Sequence, residues 1–161
     1  MIDAILTVTA WLMLITVAVM AGVYFAFSVF VMRAFDRLPA RQAIDAMNSI
    51  NLVIVRSYFL PLFFGSSMLA LLLVIFSLFH WQGLASVWAM MAAVGYLVTM
   101  FLSTALFNVP LNNGLADFEP HRQNADTTWA HYRQHWTRWN HVRTIGSLVS
   151  VVLSAVHLGW V

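Results

Sequence analysis

The 161-residue chain has no cysteine and no lysine, and only 9% of its residues carry charge. Without cysteine it can form no disulfide, iron–sulfur cluster or thiolate metal site, and cysteine usage says nothing of its compartment. The eight basic residues are all arginines, interleaved with acids as in Arg33-Asp36-Arg37-Arg41-Asp45. The pI of about 9.5 therefore reflects a few guanidinium groups, not a basic face built for phosphates, and no nucleic-acid partner is expected. A soluble domain would be roughly a quarter charged. This chain is 61% hydrophobic with a mean hydropathy of +0.81, which excludes a soluble globular domain and a disordered chain alike.

Residues 4–32, 57–116 and 144–161 contain no Asp, Glu, Lys or Arg. A helix crosses a bilayer with about 20 apolar residues. The runs predict an all-α fold, an integral membrane four-helix bundle in one domain over residues 1–161. Its spans fall at about 4–32, 51–79, 84–107 and 143–161. The first run lacks a basic leader and far exceeds the roughly 7–15 apolar residues of a signal peptide, so it reads as a retained span. His80-Trp81-Gln82-Gly83 can only join antiparallel neighbours. There is no internal repeat and no low-complexity segment.

Every arginine lies in or beside the segments joining spans one to two and three to four. The 80–83 hairpin and both termini have none. The positive-inside rule then places both arginine-bearing segments in the cytoplasm and both termini outside it, in the inner (plasma) membrane. Residues 39–50 open with Pro39 and set Ala43, Ala46, Met47 and Ile50 at helical spacing. They predict an amphipathic helix continuous with the second span. Trp129, Tyr132, Trp136, Trp139 and Val142 predict a helix over 127–142 that runs into the fourth. The second and fourth helices are thus expected to extend into the cytoplasm. Residues 108–126, with Pro110, Gly114 and Pro120, read as a loop, partly re-entrant.

Polar groups at membrane depth are costly and mark function or tight packing. Here they gather at one end: Asn51 and Arg56 open the second span, Asn108 and Asn112 close the third, and Asn140 and Arg143 open the fourth. Trp136, Asn140 and Arg143 stand at i, i+4 and i+7, on one helix face. A pocket lined by amides, guanidinium groups and indoles, including Trp139, is the expectation. Each group also has a plainer use. Arginines snorkel to headgroups, asparagines cap helices, and tryptophans form interfacial belts. His131 and His135 at i, i+4 share a face, a spacing found in metal sites. His121 or His141 with Glu119 or Asp117 could complete a set, but surface histidines on a polar face are the commoner case. His80 and His157 read as interfacial.

Three motifs carry a family resemblance. They are G-V-Y-F-A-F-S-V-F-V-M at 22–32 with L-P-A-x-x-A-I-x-A-M-x-x-I-N ending at Asn51, F-N-V-P-L-N-N at 107–113, and W-x-x-Y-x-x-x-W-T-R-W-N-H-V-R from Trp129 to Arg143. Together they resemble the anthrone oxygenase-like family of small four-span membrane proteins, along nearly the whole chain. The resemblance implies oxidation of an anthrone to an anthraquinone by dioxygen without flavin, haem or metal, hence no cofactor. Two positions depart from the family pattern. Arg33 stands where many members have proline, and Arg56 where a small or amide residue is usual. These departures bear on substrate more than on fold.

Oxidising a planar, weakly acidic aromatic needs a base for a carbon-bound proton and donors for the oxyanion. His131 or His135 would be the base, Arg143 with Asn140 and Asn108 would hold the oxyanion, and Trp136 and Trp139 would stack on the rings. Asn51, Arg56 and Asn112 would complete the substrate site. The rival reading is a non-enzymatic bundle that binds a lipid or hydrophobic metabolite, or an accessory subunit, with asparagines knitting the helices together. A transporter would need a coupling-ion site, which four spans without an acid do not offer. Membrane lipid and a hydrophobic small molecule are the expected partners, and homo-oligomerisation stays open.

Overall fold

In the computed structural model, which describes residues 2–160, five helices follow one another. They are α1 (Ile2–Phe35), α2 (Ala40–Ile54), α3 (Phe59–Phe79), α4 (Leu84–Ala116) and α5 (Ala125–Leu158). No strand occurs among the described residues. Helices α1, α3, α4 and α5 are long and apolar enough to cross a membrane, and the chain is a multi-pass membrane protein. Around the ring α1 packs on α5, α5 on α4, α4 on α3 and α3 back on α1. The arginine-bearing connections lie at one end, and the tight turn at Gly83 (φ 63°) lies at the other. There His80 and Gln82 both hydrogen-bond to Asp3 Oδ1 at 2.8 Å, clasping the start of α1 to the turn.

Lipid can surround this bundle because its outside is apolar: Trp11, Ile15, Phe30, Leu78, Leu106, Ile145 and Val152 are all exposed. The inside of α5 reverses the soluble pattern. From Asn140 onward its buried residues are Asn140, Arg143, Thr144, Ser147, Ser150, Ser154 and His157. Small hydroxyl residues let helix backbones approach closely in a membrane, and Ser150 Oγ bonds the Ala92 carbonyl of α4 at 2.9 Å. Closest of all is Gly146, where a Cβ would overlap the Cβ and Oγ1 of Thr99. Gly146→Ala must push α4 and α5 apart. It is expected to cost about 1–3 kcal/mol, as overpacking does. Gly22→Ala meets open space and is its control. Thermal unfolding of the two variants in the same detergent checks this, and equal melting temperatures would deny the close crossing.

Sequence and structure diverge at three places. The amphipathic helix and the second span, expected as one helix, are two. The chain breaks over 55–58, where the Ser57 hydroxyl bonds the Ile54 carbonyl at 2.8 Å and also accepts from the Phe59 N–H at 3.2 Å. A hydroxyl that pairs with nearby backbone competes with the helix ladder. Second, the expected loop at 108–126 is helical through Ala116. Pro110 is tolerated because it comes just after a wide, π-type turn at Thr104–Asn108, where the i→i−4 ladder is already rearranged. Only 117–124 forms the connection, and Asn124 then caps α5 by accepting from the Asp126 and Thr127 N–H groups. Third, His157 is buried instead of interfacial, its Nδ1 2.9 Å from the Ala85 carbonyl.

Two apolar clusters fill the interior. The larger runs through the membrane region and ends at Tyr24, Phe63, Tyr96 and Met100. The smaller joins Met32, Ala43, Ile44, Met47, Leu115, Trp129, Tyr132 and Trp136 at the arginine-bearing end.

Candidate functional site

Between these clusters lies a cavity of about 300 Å³, at the small end of small-molecule sites. Helix α5 supplies its floor because Trp129, Tyr132, Trp136, Asn140 and Arg143, stepping by three and four, keep one face inward. Arg143 is 15 residues from the far end of α5, about 22 Å at 1.5 Å per residue. The cavity is therefore at membrane depth.

Arg143 is only 5% exposed and forms no ion pair among the described residues. Its guanidinium donates to Asn140 Oδ1 at 2.9 Å and to Thr104 Oγ1 at 3.3 Å. It also lies over the rings of Tyr24 (4.6 Å) and Trp136 (5.0 Å), which attract a cation through their π faces. Asn140, fully buried, holds the arrangement in place. Its Nδ2 donates to the Tyr24 carbonyl at 2.8 Å and to Ser28 Oγ at 2.7 Å, tying α5 to α1. Asn108 Nδ2 donates to the Trp136 carbonyl at 3.3 Å, tying α4 to α5. Asn112 Oδ1 accepts from the Tyr132 hydroxyl at 2.8 Å.

Several buried polar atoms lining the cavity have no protein partner: Arg143 Nε, Trp136 Nε1, Asn51 Nδ2, Tyr24 OH and Asn108 Oδ1. A buried donor without an acceptor is costly, and here the guanidinium's own Nε–H, two other N–H groups and a hydroxyl share one small space. That space suits a ligand bearing a negative or strongly accepting oxygen. The remaining walls are Phe27, Phe59, Phe63, Phe64 and Phe101 with aliphatic side chains, which suit a flat aromatic body.

Of the residues singled out from sequence, Asn51, Asn108, Asn112, Trp136, Asn140 and Arg143 line this one cavity. Four others are elsewhere. Arg56 is exposed in the break between α2 and α3. Trp139 stacks flat on Phe107, centroids 3.5 Å apart. His131 and His135 pair their rings at 4.4 Å on the side of α5 away from the cavity. Among the described residues no group of three or more His, Asp or Glu side chains is placed to hold a metal, so the pair finds no third ligand in His121, His141, Glu119 or Asp117. Tyr24, Ser28 and Thr104 were not singled out from sequence. Tyr24 and Ser28 sit inside the first motif, and Thr104 stands one turn before Asn108, a hydroxyl at i−4 from an amide in an apolar run.

The family model described as anthrone oxygenase matches residues 51–153, more than half of the chain. The matched stretch includes Asn51, Thr104, Asn108, Asn112, Trp136, Asn140 and Arg143. No curated protein and no solved structure gives a significant match.

Proposed function

The chain belongs to the anthrone oxygenase family, and from that premise we propose that it is a cofactor-independent oxygenase. Its substrate is a hydrophobic, weakly acidic aromatic compound, anthrone- or quinol-like, held in the cavity beside Arg143. The observation that carries the reading is the buried guanidinium with no protein anion, surrounded by donors that have no protein acceptor. Such a site favours the ionised form of an enol or phenol, because preorganised donors in a dry cavity stabilise developing negative charge. The ionised form is the electron-rich one that dioxygen attacks. Overall, a methylene and one dioxygen give a carbonyl and one water. The two hydrogens leave on one oxygen atom, the other stays on carbon, and no net proton is released. Arg143, positioned by Asn140 Oδ1, governs the charge, with Trp136 Nε1 and Asn51 Nδ2 as further donors. The phenylalanine walls orient the ring system.

The same reading sets the arginine-bearing end in the cytoplasm and both termini outside, in the plasma membrane, by the excess of arginine on that side. The test of activity is purified protein in lipid nanodiscs supplied with anthrone and air. Quinone absorbance should grow in step with oxygen uptake, mole for mole. A rate no greater than in empty nanodiscs sinks the oxygenase reading. Retention of anthrone without conversion would leave a binding protein.

A further inference from the structure

The walls of the cavity are unequal. Toward the arginine-bearing end it is closed by the smaller apolar cluster, where Ile44 and Met47 of α2 pack with Leu115, Trp129 and Tyr132, all buried. Toward the membrane interior it is closed by Tyr24, Phe63, Tyr96 and Met100, also buried. On the α5 side stand buried Trp136, Asn140 and Arg143. One flank differs. Between the α2–α3 break and the middle of α4, the lining residues Val55 (53% exposed), Phe64 (54%), Ala105 and Val109 (43%) face both the cavity and the outside.

All four of these rim residues are apolar, whereas Asn108, Asn140 and Arg143 of the lining are buried. Phe64 is five residues into α3, about 8 Å along the helix from Phe59. At that depth Phe64 meets acyl chains rather than headgroups or water. Beside it, Leu52 (66%), Val53 (64%) and Tyr58 (93%) are also exposed, and the polar residues exposed in the break are Arg56 and Ser57, which set its end of the opening at the headgroup level while Phe64 and Ala105 frame the apolar part.

We propose that the cavity opens sideways into the hydrocarbon of the bilayer, between the α2–α3 break and α4, and loads an uncharged, planar ligand dissolved among the lipid tails. A molecule entering between Phe64 and Ala105 passes apolar side chains before it reaches the polar lining at Arg143, Asn51 and Trp136. It crosses the doorway neutral and meets its charge-stabilising partners inside. A water-soluble anion, in contrast, has no polar path to the same guanidinium, because the buried cluster around Met47 stands in the way. The route holds for any lipid-dissolved ligand of the cavity, whether or not oxygen is added to it.

The chain has no cysteine, so Thr104→Cys places a single thiol on the cavity wall. In vesicles of phosphatidylcholine it is exposed to N-phenylmaleimide, which enters the bilayer, and to sulfonatoethyl methanethiosulfonate, which does not. The sulfonate is chosen because Arg143 would attract it, so slow labelling cannot be charge repulsion. The maleimide should label Thr104→Cys and the sulfonate should not. Val109→Trp or Ala105→Trp, each added at an exposed rim position, should slow the maleimide several-fold, while Met47→Ala should leave it unchanged. Melting temperatures confirm that each variant is folded, and the two rim variants stand in for one another if one is not. Rapid labelling by the sulfonate, or labelling that ignores both rim variants and speeds up with Met47→Ala, would overturn the lateral route and place the opening at the arginine-bearing end. No readout here depends on turnover, so failure of this route is distinct from failure of the oxygenase reading.

Discussion

Arg143→Gln is expected to lower kcat/KM for the proposed oxidation of anthrone by about 10²–10³-fold, the usual effect of deleting one preorganised oxyanion donor. It should do so without loss of stability. Arg143 is buried with no ion pair among the described residues, and an uncompensated buried charge costs several kcal/mol. The rings of Tyr24 and Trp136 return about 0.5–2 kcal/mol each, which does not cover that penalty. Glutamine keeps an N–H for Asn140 Oδ1 and removes the charge. The variant should therefore unfold at the wild-type temperature or above it while losing activity. Proteins trade stability for function in this way at strained or charged sites. Wild-type turnover in Arg143→Gln would remove the guanidinium from the mechanism. A drop of several degrees in melting temperature would make it a structural strut instead.

The opposite signature is expected at Asn140. Its side chain bonds the Tyr24 carbonyl, Ser28 Oγ and the Arg143 guanidinium, all at 2.7–2.9 Å and with no exposure. Asn140→Ala leaves the cation without its amide and removes the link between α1 and α5. A loss of about 2–4 kcal/mol is expected, within the range for breaking a buried hydrogen-bonded partner of a charge. Activity should fall as well. Adding Arg143→Met should restore part of the stability, because the orphaned charge is then gone. The coupling between the two sites should be about 1–3 kcal/mol. Unfolding in mixed micelles of the two single variants and the double variant measures it. Strict additivity would mean that Asn140 holds the helices together without regard to Arg143.

How much of the fold and the site was legible in the sequence depends on the physical origin of each feature. The four spans were, because a bilayer demands long uncharged runs and the chain supplies them. So was the seam of Trp136, Asn140 and Arg143, since a regular helix keeps positions three and four apart on one face. The same geometry sets His131 and His135 aside: each precedes an inward residue, Tyr132 or Trp136, by one position, or about 100° of rotation. Their i, i+4 spacing shows that they share a face but not which face. The break at 55–58 left a weaker mark: Arg56-Ser57 interrupt the apolar run and Pro61 falls in the first turn of α3, where proline is tolerated, but with an apolar pattern on both sides these signals also fit one continuous helix. Thr104 was hidden for another reason. A hydroxyl in a membrane helix commonly bonds its own backbone, as Thr7, Thr9 and Thr16 do in α1, and only tertiary packing shows which hydroxyls turn to a neighbouring helix.

The wide turns at Phe27–Val31, Leu97–Leu102 and Thr104–Asn108 border the cavity on α1 and α4. Such a turn holds an extra residue relative to the α-helix, and each residue rotates the remainder of the helix by about 100°. The direction in which Asn108 and Asn112 face is therefore written in the number of residues between Leu97 and Asn108 as well as in their identity. Deleting one of them would leave composition, hydropathy and span length almost untouched, yet, unless a wide turn closed to absorb it, would swing both amides away from Arg143. Two chains of this kind could share every apolar run and still differ in function through an insertion or deletion of a single residue.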